Sequence, residues 1–202
     1  MAQIINKTKE CGANPNRLLL RKNITHLFIH RISLANYDPA NPNPVKDEFL
    51  DGVGLADRFK ATEALGTAKQ VPYHFLATKN NPTYSIEQLI PLSIKGCHAG
   101  DWNWRSIAVA VCGDFRRNPP ANPQYENLIN LISLIAPMNG GLEVVGHTDV
   151  PSAHLDPNKV CPGHYLNAKI ALAKAILIMP EKWREIPEDE VNKRMIEAGI
   201  IL

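Results

Sequence analysis

"ITHLFIH", residues 24–30, is a short apolar run bounded by polar "RKN" before it and "RIS" after it. Length and boundaries identify a buried β-strand rather than a helix. Because side chains alternate across a strand, His26, Phe28 and His30 share one face and Leu27 and Ile29 the other. The same reading extends outward to "VPYHFLAT" (Val71 to Thr78), "TYSIEQLI" (Thr83 to Ile90), "SIAVAVCG" (Ser106 to Gly113) and "LEVVGH" (Leu142 to His147). "SIAVAVCG" is the clearest, small and β-branched, ended by Gly113 and Asp114; "LEVVGH" follows the "NGG" turn at Asn139 to Gly141.

Helical segments separate them. Asp47 to Leu65 has an acidic opening turn, although Gly52 and Gly54 weaken its start. "PQYENLINLISLIA" (Pro123 to Ala136) spaces Leu128, Leu131, Ile132 and Ile135 as a helix stripe, and "YLNAKIALAKAILIM" does the same before Pro180. Pro-rich "DPANPNPV" and "RRNPPANP" read as surface loops. Strands alternating with helices predict an α/β fold, a central mixed β-sheet flanked by helices.

The chain has 202 residues, 45% of them hydrophobic, which suffices for one domain with a core and an appendage. Its 22 basic and 20 acidic residues leave a net charge of +2, too small and too scattered for a nucleic-acid surface. The N-terminal "MAQIINKTKE" lacks the apolar stretch of a secretory signal. "IALAKAILIM" is too short to span a bilayer and carries Lys174. The expectation is a soluble protein, cytoplasmic at synthesis and without a signal peptide. The four cysteines show no C-x-x-C spacing, and a reducing compartment predicts thiols rather than disulfides.

The end of the chain differs in character. Pro187 followed by Glu188, Asp189 and Glu190 opens a helix, with proline in the first turn and acids at the positive dipole end. Val191, Met195 and Ile196 form its apolar stripe, for packing on the domain or for self-association or contact with a partner. The organisation is therefore an N-terminal segment (1–22), a main domain (23–180) and a C-terminal helical tail (181–202).

Catalytic zinc takes three protein ligands and leaves a fourth position for water. Three places qualify: His30 at the end of the first strand, His147 at the end of "VVGH", and Cys161 in the "NKVCPG" turn. Each has a plainer reading on its own, as a strand-end histidine or a buried apolar thiol. His154 and His164 lie in the same stretch, and a Cys161–His164 pair would make a closed cluster that leaves His30 unexplained. Asp149 and Asp156 fit as turn formers or as partners orienting a ligand histidine. His74 falls on the opposite strand face from Tyr73 and reads as structural.

Five motifs in order, "FIHRIS", "VPYHFLA", "CHAGDWNWRSIAVAVCGDF", "VVGHTDV" and "KVCPG", make the sequence resemble the second family of zinc-dependent N-acetylmuramoyl-L-alanine amidases. That family includes phage endolysins and cytosolic muropeptide-recycling enzymes and shares its fold with the peptidoglycan recognition proteins. The likeness runs from Ile24 to Ile178, so that residues 23–180 correspond to the amidase domain. It implies one Zn2+ per chain held by His30, His147 and Cys161, with Tyr73 and Lys159 as catalytic residues. It implies substrate contacts from His98, Trp102 and Asn103, with Trp102 and Trp104 placed either to stack on sugar rings or to anchor their loop. The expected substrate is peptidoglycan or a muropeptide, cut between N-acetylmuramic acid and L-alanine. The Lys159-Val160-Cys161 arrangement is similar to that of the phage type, which implies an endolysin released through a pore rather than a recycling enzyme. Ala108 stands where the family often has glycine, a packing change. The competing expectation is a non-catalytic muropeptide-binding module of the same fold; relatives of that kind typically lack the cysteine that is present here as Cys161.

Overall fold

In the computed structural model, which describes residues 4–32, 71–79, 84–116, 118–150, 160–178 and 185–202, the opening stretch is the second strand of a sheet. Among the described residues six strands form that sheet: β1 (Ile4–Asn6), β2 (His26–Ile32), β3 (Phe75–Ala77), β4 (Ile86–Gln88), β5 (Ser106–Cys112) and β6 (Glu143–Gly146). Their order is β1-β4-β3-β5-β2-β6. The β3–β4 pair is antiparallel and the other pairs are parallel, so the sheet is mixed as expected. β2 lies inside it, between β5 and β6, which accounts for its near-continuous apolar sequence.

Alternation divides the sheet into two chemically different faces. Leu27 and Ile29 of β2, Ile107, Val109 and Val111 of β5, Phe75 and Ala77 of β3 and Val144 of β6 join one large apolar core. Helices α2 (Asn122–Ile135), α3 (Ala168–Ile178) and α4 (Glu188–Glu197) contribute to it. Leu128, Leu131, Ile132 and Ile135 of α2 are all buried there, as their spacing predicts. In the first turn of α2 the buried Gln124 Nε2 lies 3.0–3.2 Å from the carbonyl oxygens of Ala77, Thr78 and Cys112, which share its two hydrogens, tying the helix to β3 and β5. The opposite face carries Phe28, Ala108 and Val145, and beside them Ile32, Leu76, Ala110 and Cys112, where Cys11 of the short helix α1 (Thr8–Cys11) packs.

Element boundaries depart from the sequence reading where backbone pairing overrides composition. β2 begins and ends two residues later than "ITHLFIH", and β3 is shorter than "VPYHFLAT". At His74 the ring replaces a ladder group: its Nδ1 accepts from Ala108 N–H at 3.1 Å while His74 N–H donates to Ala108 O at 3.0 Å. β1 falls in a stretch with no strand signal of its own; its three residues pair with β4. The helix expected over Asp47 to Leu65 and the loop "DPANPNPV" lie outside the described residues. None of the four cysteines is in a disulfide. Among the described residues no helix is long and apolar enough to cross a membrane.

The outer segments contribute to the same core as the middle of the chain. Ile4 and Leu19 enter it from one end, Val191, Met195 and Ile200 from the other. Glu188 at the start of α4 bonds Arg21 at 2.7 Å and accepts Asn139 N–H at 2.8 Å. The Gln88 side chain accepts from Ile201 N–H and donates to Ile201 O, both at 2.7 Å, in the manner of an added strand residue. Met195 is fully buried, whereas Ile196 beside it is 59% exposed. Met195→Ala should therefore cost about 2–5 kcal/mol of unfolding free energy, and Ile196→Ala less than about 0.5 kcal/mol, as read by urea denaturation. Equal effects would remove the helix from the core.

Candidate metal centre

The register of β2 and β6 builds the first half of the site. Phe28 lies opposite Val145 and Ile29 opposite Gly146, so the next residue on each strand is a histidine. Parallel neighbours run about 4.8 Å apart, and the His30 and His147 rings lie with their centroids 4.5 Å apart. Both point to the face of Phe28, away from the helical core.

The second half comes from the turn after Val160. Each histidine is followed by a residue that grips this turn. Arg31 Nε donates to Val160 O at 2.8 Å. Thr148 donates to Cys161 O twice, from its backbone N–H at 2.9 Å and its Oγ1 at 2.8 Å. Asp114 holds Arg31 from the side. Gly146 is needed for the close approach, since a Cβ there would lie 2.7 Å from Pro162 Cδ. Gly163, at φ +113°, packs on the Phe115 backbone with no room for a side chain. Asp149 Oδ2 accepts Gly146 N–H at 2.9 Å, the turn-forming role its position suggests.

Among the described residues the result is a group of three donors, from His30, His147 and Cys161, whose ligating atoms lie within 4.8 Å of one another. They are 2%, 4% and 4% exposed, so the cluster is shielded from bulk water. Donors on one tetrahedral zinc lie roughly 3.3–3.6 Å apart, from bond lengths of about 2.0–2.3 Å. Cys161 Sγ and His30 Nδ1 are 3.7 Å apart. Two imidazoles and one sulfur in this arrangement suit zinc, and among the described residues no fourth His, Cys, Asp or Glu joins them. His164 is exposed and takes no part in the group.

Other candidates gather round it. The Tyr73 ring lies 5.2 Å from that of His30. Burial, with Cys161 and Cys97 adding to it, holds the Tyr73 phenol above its ordinary value, so it stays protonated at neutral pH. His98 Nδ1 is 3.1 Å from His30 Nε2. Trp102 meets the His26 ring edge-on at 4.6 Å and lies on the same row as Phe28. Asn103 Oδ1 accepts the backbone N–H groups of His98 and Ala99 at 2.8 and 2.9 Å, so this oxygen holds the loop together. Trp104 is exposed, with Lys95 Nζ 3.2 Å from its ring centroid. Lys159, His154 and Asp156 lie outside the described residues.

His74 has the structural setting its strand face predicts. Its Nε2 donates to Ile94 O at 2.9 Å, which with Nδ1 accepting from Ala108 fixes one neutral tautomer. Sequence reasoning did not single out Arg31, Thr148 and Ser106. Adjacency to a ligand was a usable signal for the first two, whereas Ser106 has none short of the fold.

The model of the family described as N-acetylmuramoyl-L-alanine amidase (Amidase_2) matches residues 20–164. The chain belongs to that family. The match takes in both histidines and the cysteine of the donor group. No curated protein sequence matches the chain. Among solved structures, the endolysin N-acetylmuramoyl-L-alanine amidase LysCS from Clostridium intestinale URNW is similar at TM-score 0.63 and 20% identity, over 86% of this chain and 95% of that one. The Ph2119 endolysin from a Thermus scotoductus bacteriophage gives TM-score 0.61 and 16% identity, over 86% and 99%. Bumblebee PGRP-SA gives 0.59 and 16%, over 84% and 94%. At these identities the likeness establishes the amidase and peptidoglycan recognition protein fold.

Two outcomes follow from this geometry. Gly146→Ala should force Pro162 away and cost about 1–3 kcal/mol, as overpacking does; unchanged stability in urea unfolding would show that the turn is not held closely. Burial lowers the His74 pKa from 6.5 to about 4, so folding favours its neutral form. That stabilisation is complete above the unfolded value and is lost as pH falls from 6.5 toward about 4. In chelator-containing buffer, His74→Gln should reduce the slope of unfolding free energy against pH in this window by about one proton. His98, also lowered by burial, leaves a residual slope of the same sign.

Proposed function

We propose that the protein is a zinc-dependent N-acetylmuramoyl-L-alanine amidase that hydrolyses the amide between the lactyl group of N-acetylmuramic acid and the L-alanine of the stem peptide. The observation that carries this reading is the buried His30–His147–Cys161 donor group. Family membership supplies the substrate class. Zinc held by these three residues would supply Lewis acidity and a water activated near pH 7.

The residues of the chain have separable tasks. Hydrolysis adds water across the C–N bond, leaving a carboxylate on the lactyl group and a protonated α-amino group on alanine. Negative charge builds on the amide oxygen in between. Tyr73, protonated and beside His30, donates a hydrogen bond to that oxygen. Lys159, two residues before Cys161 in sequence, brings a compensating cation. Trp102, in the row of rings that leads through Phe28 to His30, and the loop that Asn103 holds form the wall against which the glycan lies. The Lys159-Val160-Cys161 arrangement favours lysis of intact wall, as by an endolysin, over recycling of soluble fragments.

Zinc-loaded protein incubated with sacculi should release new L-alanine amino termini, counted by dinitrophenyl labelling. If it releases none where a reference amidase does, the reading is wrong. Cys161→Ser should lose both bound zinc and activity. Tyr73→Phe should keep zinc and lose about 100–1000-fold in kcat, as removal of one oxyanion donor does.

A further inference from the structure

We infer that His98 is a positioning residue for His30: it accepts the proton on the far side of the His30 ring and so directs the Nδ1 lone pair toward the metal, while Ser106 fixes the tautomer of His98. This rests on the zinc reading above and goes beyond it, since that reading names the ligands but not what orients them.

The hydrogen-bond chain has a single consistent assignment. His30 presents Nδ1 to the donor group, 3.7 Å from Cys161 Sγ, and Nε2 to His98 Nδ1 at 3.1 Å. A ring nitrogen that ligates a metal carries no proton, so the His30 proton sits on Nε2 and His98 Nδ1 accepts it. The His98 proton then sits on Nε2, 3.3 Å from Ser106 Oγ. The Ser106 hydroxyl hydrogen is directed to Trp102 O at 2.6 Å, which leaves Ser106 Oγ as the acceptor that His98 requires. In the reverse assignment Ser106 would have to donate both to His98 and to Trp102 O. One hydroxyl has one hydrogen, so that assignment fails.

The surroundings fix the position of His98. Asn103 pins its backbone N–H at 2.8 Å. Phe28 meets its ring edge-on at 5.5 Å. Gly96 leaves the space it occupies, because a Cβ there would lie 2.8 Å from His98 Cδ2 and 2.5 Å from Pro72 O. With 9% exposure, His98 is buried behind His30, on the segment that precedes Gly100. Partners that fix a metal-ligating histidine in this way typically change metal affinity 10–100-fold when removed.

Competition with a chromogenic chelator tests the inference through zinc affinity. His98→Ala should weaken zinc binding about 10–100-fold. His98→Gln, whose amide oxygen accepts and whose amide nitrogen donates, should recover most of that loss. Histidine nitrogen–proton NMR spectra of the zinc-bound wild type should place the proton on Nε2 in both His30 and His98. Zinc affinity unchanged in His98→Ala, Gln no better than Ala, or a wild-type His98 protonated on Nδ1 would each overturn it. A wild-type protein that binds no zinc would instead remove the metal reading on which it stands.

Discussion

The pairing of β2 with β6, Ile29 opposite Gly146, is the constraint on which the site depends. It places His30, near the end of β2, abreast of His147, the residue that follows β6. A slip of one residue would turn one histidine into the helical core and the neighbouring apolar residue out of it. The apolar residues that enforce the register, Leu27 and Val144 on one face and Phe28 and Val145 on the other, are therefore also the residues that aim the imidazoles. Packing and function are specified by the same pattern.

Strand register alone supplies two donors. The third must be carried in by a turn, and a turn is less rigid than a strand. The fold compensates with contacts from the residues next to the histidines themselves. Arg31 and Thr148 hold the carbonyls of Val160 and Cys161, and the missing side chain at Gly146 lets Pro162 close on the strand end. The position of the sulfur is thus tied to the same two strands that hold the nitrogens, as a site with tight geometric tolerance needs. Opposite, β5 faces the site with Ala108 and Ala110, which leave room for the larger rings on β2.

Much of this was legible in the sequence because it is local. Alternation in "ITHLFIH" gave the two faces, short apolar runs gave five of the six strands, and the stripe in "PQYENLINLISLIA" gave the helix that covers them. The donor residues were candidates by type and position, and the ordered motifs singled them out. What was not legible is non-local. β1 has three residues and no pattern; only pairing with β4 makes it a strand. The ends of β3 depend on a His74 ring that substitutes for a backbone group, which composition does not record. His98 invited a reading as a groove residue from its motif, yet its contact with His30 spans a separation of 68 residues and exists only once the sheet is formed. Likewise, Ser106 looks like an ordinary strand opening until the Trp102 carbonyl claims its hydrogen.

The chemistry of the group behind His30 bears on the charge of the centre. Metal-bound histidines are often backed by a carboxylate, which raises ligand basicity and adds a negative charge. Here the backing group is a second imidazole, itself buried and held neutral by its surroundings. On the proposed reading a divalent zinc then faces one thiolate and two neutral rings, for a net charge of +1. A carboxylate in place of His98 would bring that to zero inside a shielded pocket, where each unit of charge counts most. With a thiolate already donating to the ion, a neutral acceptor behind His30 would preserve what remains of the pull that such an ion would exert on a substrate carbonyl. On that reading the imidazole would orient the ligand and leave the charge of the centre unchanged.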